Sequence, residues 1–216
     1  MKDKIRIDNY NICEDMEYTT TLETDKAKVK YVKKIEHIIR SSMEYRDYIS
    51  YLKEYVDMNH CEFFTNIQNS QGSKVRIEIH HEPLTLYDIV YSVVNKFISE
   101  GIPLNDLFIA DEVMDIHYRN MVGLIPLSKS LHQIIHNSDE IIIPLNIVYG
   151  NYRQFLIDYE DYLDETTIEK IERKISQTKN IKREMFDKLN PQFVYINVDG
   201  YDLPQKVEIS RGNENI

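Results

Sequence analysis

Gly123-Leu124-Ile125-Pro126-Leu127-Ser128-Lys129-Ser130-Leu131-His132-Gln133-Ile134-Ile135-His136 is the stretch on which the fold turns. It opens as part of a short apolar run, residues 121–127, that reads as a strand. Ser128 is a suitable N-cap, because its hydroxyl can accept from the first free N–H groups of a helix. The helix that follows carries His132 and His136 at i and i+4, which stacks both rings on one face. Upstream, Lys74-Val75-Arg76-Ile77-Glu78-Ile79-His80-His81-Glu82-Pro83 reads as a second strand. Val75, Ile77 and Ile79 face one side, and Arg76, Glu78 and His80 face the other. His81 lies where this strand should stop, since Pro83 has no N–H for a ladder. A strand-end histidine plus a helical pair is a donor set for a metal ion. A fourth histidine beside it has the chemistry of a base.

Working outward, Thr24 or Asp25 caps a helix to about Ser41, with Val29, Val32, Ile35, Ile38 and Ile39 at helical spacing. A second helix over residues 44–57 makes a helical hairpin with it. Residues 61–67 and 74–80 are strand candidates joined by a turn-rich segment. Residues 84–100 form an amphipathic helix that stops at Gly101. Asn105 or Asp106 starts another helix to about Arg119. Residues 141–148 read as a strand or an apolar loop. Two helices follow, over residues 152–163 and 166–189, then a strand at 193–198 and a loose tail. The expected organisation is an N-terminal helical hairpin (residues 1–60), a histidine-bearing core (61–140) and a C-terminal helical extension (141–216). The core contains a helical insert, residues 84–119.

The composition bounds what this chain does. Its 216 residues fit one core with appendages, and 42% of them are hydrophobic, which suffices for a packed interior. No apolar stretch reaches the length of a membrane span, and no membrane partner is expected. The first residues are polar, so no signal peptide is read. The two cysteines, Cys13 and Cys61, make no framework, which suits a reduced, cytoplasmic setting. The net charge of -10 opposes broad attraction to nucleic acid. Residues 26–40 and 170–188 are nevertheless basic, so a nucleic-acid path over two helices competes with the plainer reading of solvated faces. Residues 138–169 are strongly acidic. The Lys/Ile/Asn/Tyr-rich style resembles AT-rich phage or low-GC bacterial coding.

The strand, the doublet and the histidine-bearing strand-helix resemble the HNH nucleases, the ββα-metal or His-Me finger superfamily. In that family a hairpin ends on an Asp-His or His-His pair with proline close behind. A return strand then carries an asparagine, and a helix supplies two metal ligands. The doublet His80-His81 with Pro83, the return element Leu124-Ile125-Pro126-Leu127, and His132 with His136 match these parts. Gly123 stands where the family asparagine is expected, and Asn120 is the nearest substitute. The zinc cysteines of many members are replaced here by Ser128 and Leu131.

The resemblance implies an α+β fold: a small ββα-metal core with a helical insert, flanked by N- and C-terminal helices. It implies a metal-dependent endonuclease hydrolysing DNA, and it suggests a phage-encoded protein acting in the host cytoplasm. His81 would be the general base, with Asn120 beside it. His80, His132 and His136 would hold Mg²⁺, Mn²⁺ or Zn²⁺. A bound cation polarises a scissile phosphate while a neutral imidazole takes a proton from water. The competing reading is a non-catalytic protein that keeps this fold for interaction or assembly, with protein partners on the acidic C-terminal third. In a further variant the histidines serve only to fold the core. Geometry separates these readings: an active site needs three converging ligand nitrogens with His81 beside an open position.

Overall fold

Capping and apolar spacing fix the first helices. The computed structural model describes residues 22, 24–64, 67–68, 75–137 and 141–179. Helix α1 spans Asp25–Ser41, and the Thr24 hydroxyl accepts from Ala27 N–H. Ser42 closes it and opens α2, Met43–Tyr55. Its N–H donates to the Ile39 carbonyl, and its hydroxyl accepts from Tyr45 N–H. One residue thus satisfies groups at both helix ends. Helix α3, Leu86–Ser99, starts on a reciprocal capping box between Thr85 and Asp88. In α4, Asp106–Tyr118, Asn105 accepts from Leu107 and Phe108 N–H.

These helices share one apolar core. Val32, Ile35 and Ile39 of α1, Leu52 of α2, Val90 and Val94 of α3 and Val113 of α4 meet in it. Phe155 of α6 (Tyr152–Asp158) and Ile171 of α7 (Glu165–Thr178) join the same cluster. The segment 84–119, read from sequence as an insert in the histidine core, therefore packs with the N-terminal hairpin and the C-terminal helices. The reason is the breadth of its apolar surface: α3 alone buries seven residues.

Strand β1, Ile77–His81, pairs antiparallel with β2, Leu124–Ser128. Ile77 lies opposite Ser128, and His81 lies opposite Leu124. Main-chain bonds extend the pairing at both ends, Glu82 N–H to the Gly123 carbonyl and Lys129 N–H to the Arg76 carbonyl, each 2.9 Å. Helix α5, Lys129–Asn137, follows without a loop. The Ser128 hydroxyl accepts from Leu131 N–H at 3.4 Å, as the capping expectation requires. A second, smaller apolar cluster of Cys61, Ile77, Ile125, Leu127, Leu131 and Ile143 holds this strand-strand-helix unit. Full burial of Ile77, Ile125 and Leu127 contributes roughly 1.5–3 kcal/mol each.

The described residues make a mostly helical α+β protein with one two-stranded antiparallel sheet. Several sequence expectations are corrected. Of the strand expected at 61–67, the described residues 61–64 and 67 form a hooked loop instead, closed by the His60–Gln68 bridge. Phe64 N–H donates to the Cys61 carbonyl, Ile67 N–H to Phe64 and Cys61 N–H to Ile67, while Glu62 N–H reaches the Pro126 carbonyl of β2. Residues 141–148 take the apolar-loop alternative of the two expected, with a 3-10 turn at Leu145–Ile147, and Tyr149 then bridges to Leu124. The helix expected over 152–163 stops at Asp158 and resumes as a 3-10 turn, Glu160–Tyr162. The expected strand at 193–198, the tail and nearly all of the N-terminal irregular stretch lie outside the described residues. Among those described, no helix is long and apolar enough to cross a membrane.

Candidate metal centre

Strand alternation decides the site. Successive strand residues point to opposite faces, so His80 and His81 cannot serve one centre. His80 turns with Glu78 toward α5, and His81 turns toward the helical core. His80, His132 and His136 come together, each offering one ring nitrogen, all within 4.8 Å of one another. Ring centroids are 5.1 Å apart for His80–His132, 5.0 Å for His80–His136 and 4.5 Å for His132–His136. Burial is graded: His80 is buried, His132 half-buried and His136 exposed.

Hydrogen bonds set the tautomers. His132 Nδ1 lies 2.7 Å from Glu78 Oε2. A carboxylate only accepts, so Nδ1 carries the hydrogen and Nε2 of the neutral ring is a lone pair. That Nε2 lies 3.0 Å from His136 Nε2. Arg76 Nε pairs with the other Glu78 oxygen at 3.2 Å. Burial lowers the affinity of all three histidines for protons. Glu82 opposes this at His80 and Glu78 opposes it at His132, but both outcomes stay below the usual histidine range. At His136 the neighbouring His132 adds to the lowering. The trio is therefore held in the neutral form that ligates metals.

The donor set fits a divalent ion. Three imidazoles suit Zn²⁺ better than Mg²⁺, which prefers oxygen ligands. Around a tetrahedral ion with bonds of about 2.0–2.1 Å, nitrogens stand roughly 3.4 Å apart; His132 and His136 Nε2 are 3.0 Å apart, and the whole trio lies within 4.8 Å. When bound, such an ion would supply Lewis acidity and a cross-link between β1 and α5.

His81 and Asn120 are placed elsewhere. His81 is 5% exposed, and its Nε2 lies 3.0 Å from His117 Nε2. His117 Nδ1 lies 2.7 Å from the Val113 carbonyl, which only accepts, so His117 Nε2 must accept from His81 N–H. Burial depresses His81 well below the histidine range and His117 to about 4. His81 thus spends a ring N–H on a core contact that links the strand to α4. The partner of His117 lies 36 positions away, beyond the reach of local spacing in the sequence. Asn120 has φ 58° just after α4, and this left-handed turn explains an asparagine there. Its carbonyl accepts from Asn151 N–H at 2.7 Å.

Two more residues are explained by contact. A side chain at Gly123 would place Cβ 1.8 Å from the Glu82 carbonyl oxygen. Glycine at the position of the family asparagine is therefore a steric requirement of this strand pairing. Glu82 is 2% exposed. It pairs with Lys174 of α7 and lies 3.5 Å from His80 Nε2. Burial pushes its carboxyl up, but His80 and Lys174 outweigh that and hold it below the usual carboxylate range. A cleft of about 510 Å³ lies elsewhere, lined by Tyr48, Tyr51, Tyr118, Tyr149, Asp47 and Asn120 among others, and none of the three clustered histidines lines it.

The model of the family described as "Bacteriophage G278-like virion protein" matches residues 1–198. The chain belongs to that family and is a phage protein. No curated protein matches it, and no solved structure does. This finding corrects the expected function: a family of virion proteins points to a structural role in the particle, not to a DNA-hydrolysing enzyme. The geometry agrees, because the residue expected as base is sealed against His117. The expected DNA path loses its support too. Lys28 donates to Asn95, Lys34 pairs with Asp106, Lys170 with Asp88 and Lys174 with Glu82, so part of the basic charge on the described helices is matched within the protein.

Proposed function

We propose, from membership of this virion-protein family, that the chain is a non-catalytic assembly component of a phage particle. The family match carries the reading. The placement of His81 supports it, since a histidine buried at 5% exposure against His117 has no access to an attacking water. In this reading β1, β2 and α5 form a ββα-metal type unit kept as a scaffold. His80, His132 and His136 hold a divalent ion whose work is structural. The protein is made in the host cytoplasm and then incorporated.

The contacts to neighbouring particle proteins run over exposed carboxylates and isoleucines of the C-terminal helix α7. Glu165, Glu169 and Glu172 of α7 are exposed, and so are Ile168 and Ile175. Ile168, Glu172 and Ile175 share one helical face. An acidic stripe with apolar members suits a partner surface of basic and apolar residues. Reversal of Glu169 and Glu172 to lysine tests this: incorporation into particles should fall while thermal stability stays within about 0.5 kcal/mol, as surface changes usually do. Unchanged incorporation would place the contact on another face.

A further inference from the structure

We infer that the three histidines form a zinc-class clamp that fastens α5 to β1, with Glu78 as its positioning residue. This rests on the metal-held scaffold reading above and names its ion and the residue that prepares the site.

Helix α5 needs such a fastening. It has nine residues, and only Leu131 among them is buried. A helix this short is marginal without tertiary support. Its start is tied by the Ser128 cap and by Lys129 N–H on the Arg76 carbonyl. Beyond that first turn, its polar link to β1 runs through His132 on Glu78, with both α5 rings packed on His80. The histidines occupy successive turns, so an ion shared with His80 would pin the later part of the helix to the strand. Three imidazole donors select Zn²⁺, or Co²⁺ and Ni²⁺ in its place, over hard oxygen-seeking Mg²⁺.

Glu78 prepares this site without touching the ion. One carboxylate oxygen takes the Nδ1 hydrogen of His132, 2.7 Å away, and the other is held by Arg76 Nε at 3.2 Å. The tautomer and the ring angle of His132 are thereby fixed, with Nε2 directed at the other two rings. This is the arrangement in which a carboxylate behind a ligating histidine raises metal affinity. Alternation along β1 puts Glu78 on the same side as His80, where His132 meets it.

The experiment is metal binding by the full chain after dialysis against a chelator. Zn²⁺ is followed by calorimetry, Co²⁺ by its visible absorption, and Mg²⁺ serves as the hard-ion control. Wild type should take up one equivalent of Zn²⁺ and melt several degrees higher with it, while millimolar Mg²⁺ does nothing. His136→Ala, at an exposed position, should keep the metal-free melting temperature and lose the zinc response. Glu78→Ala should weaken Zn²⁺ about 10–100-fold, with Glu78→Asp recovering part of the loss. ¹⁵N shifts of His132 should report Nδ1–H in wild type and a tautomer mixture in Glu78→Ala. Tight zinc binding unchanged by Glu78→Ala would overturn the positioning role and leave the metal-held scaffold standing. Zinc binding unchanged by His136→Ala would overturn the ligand set. No Zn²⁺ or Co²⁺ uptake by wild type would overturn the clamp and the metal-held scaffold, while leaving the assembly role intact.

Discussion

His81 and His117 share a buried hydrogen bond of 3.0 Å between their Nε2 atoms, and it joins the sheet to the helical core. His117 is held to about 4 by burial, against a usual histidine value near 6.5. The folded protein therefore keeps this ring neutral where the unfolded chain would protonate it. Between pH 6.5 and 4 the unfolded state binds more protons, so stability is full above 6.5 and is lost as pH falls. The loss from His117 alone is on the order of 3 kcal/mol, and His81 acts in the same direction. Melting temperatures from pH 7.5 to 4.5 should drop steeply in wild type and less steeply in His117→Gln. Equal slopes would show that this pair does not govern the acid limb.

The Gly123 contact gives a sharper steric test. Alanine there must push Cβ away from the Glu82 carbonyl, which lies 1.8 Å from the ideal position. The obstacle is backbone, so the end of the β1–β2 pairing has to open. Gly123→Ala should cost at least about 3 kcal/mol in urea denaturation, the upper range for overpacked sites. A change under 1 kcal/mol would mean that the pairing beyond His81 is dispensable.

Lys174 holds α7 to the sheet end through Glu82, which is almost fully buried. Lys174→Met removes one partner and leaves a buried carboxylate. Such losses cost about 3–5 kcal/mol. Limited proteolysis should then cut within α7 before the rest of the described fold. Lys174→Met with wild-type stability and protease resistance would assign the docking of α7 to Thr167 and Ile171 instead.

Much of the histidine unit was legible in the sequence, and the reasons are local. The i, i+4 pair, the Ser128 cap and the alternation of Ile77, Glu78, Ile79 and His80 are short-range features, and each reads directly as geometry. Alternation also implied that His81 faces away from His80, but the doublet's resemblance to a nuclease motif overrode it. His117 and Lys174 escaped because their partners, His81 and Glu82, are brought to them only by the tertiary fold. The hooked loop at residues 61–64 and 67–68 was misread because its apolar residues serve the smaller core while its main chain mostly bonds within the hook, with one bond from Glu62 N–H to the Pro126 carbonyl of β2. Nothing in residue type or spacing spoke of a virion; that came from likeness along the chain, and composition alone had suggested only a phage-like coding style.

The central claim is that this chain is a built-in component of the phage particle. Quantitative mass spectrometry of gradient-purified particles, set against the infected-cell lysate, tests it most directly. A fixed number of copies per particle, persisting through repeated banding and high-salt washing, is the expected result. Recovery in the lysate alone, with particles free of the chain, would contradict it.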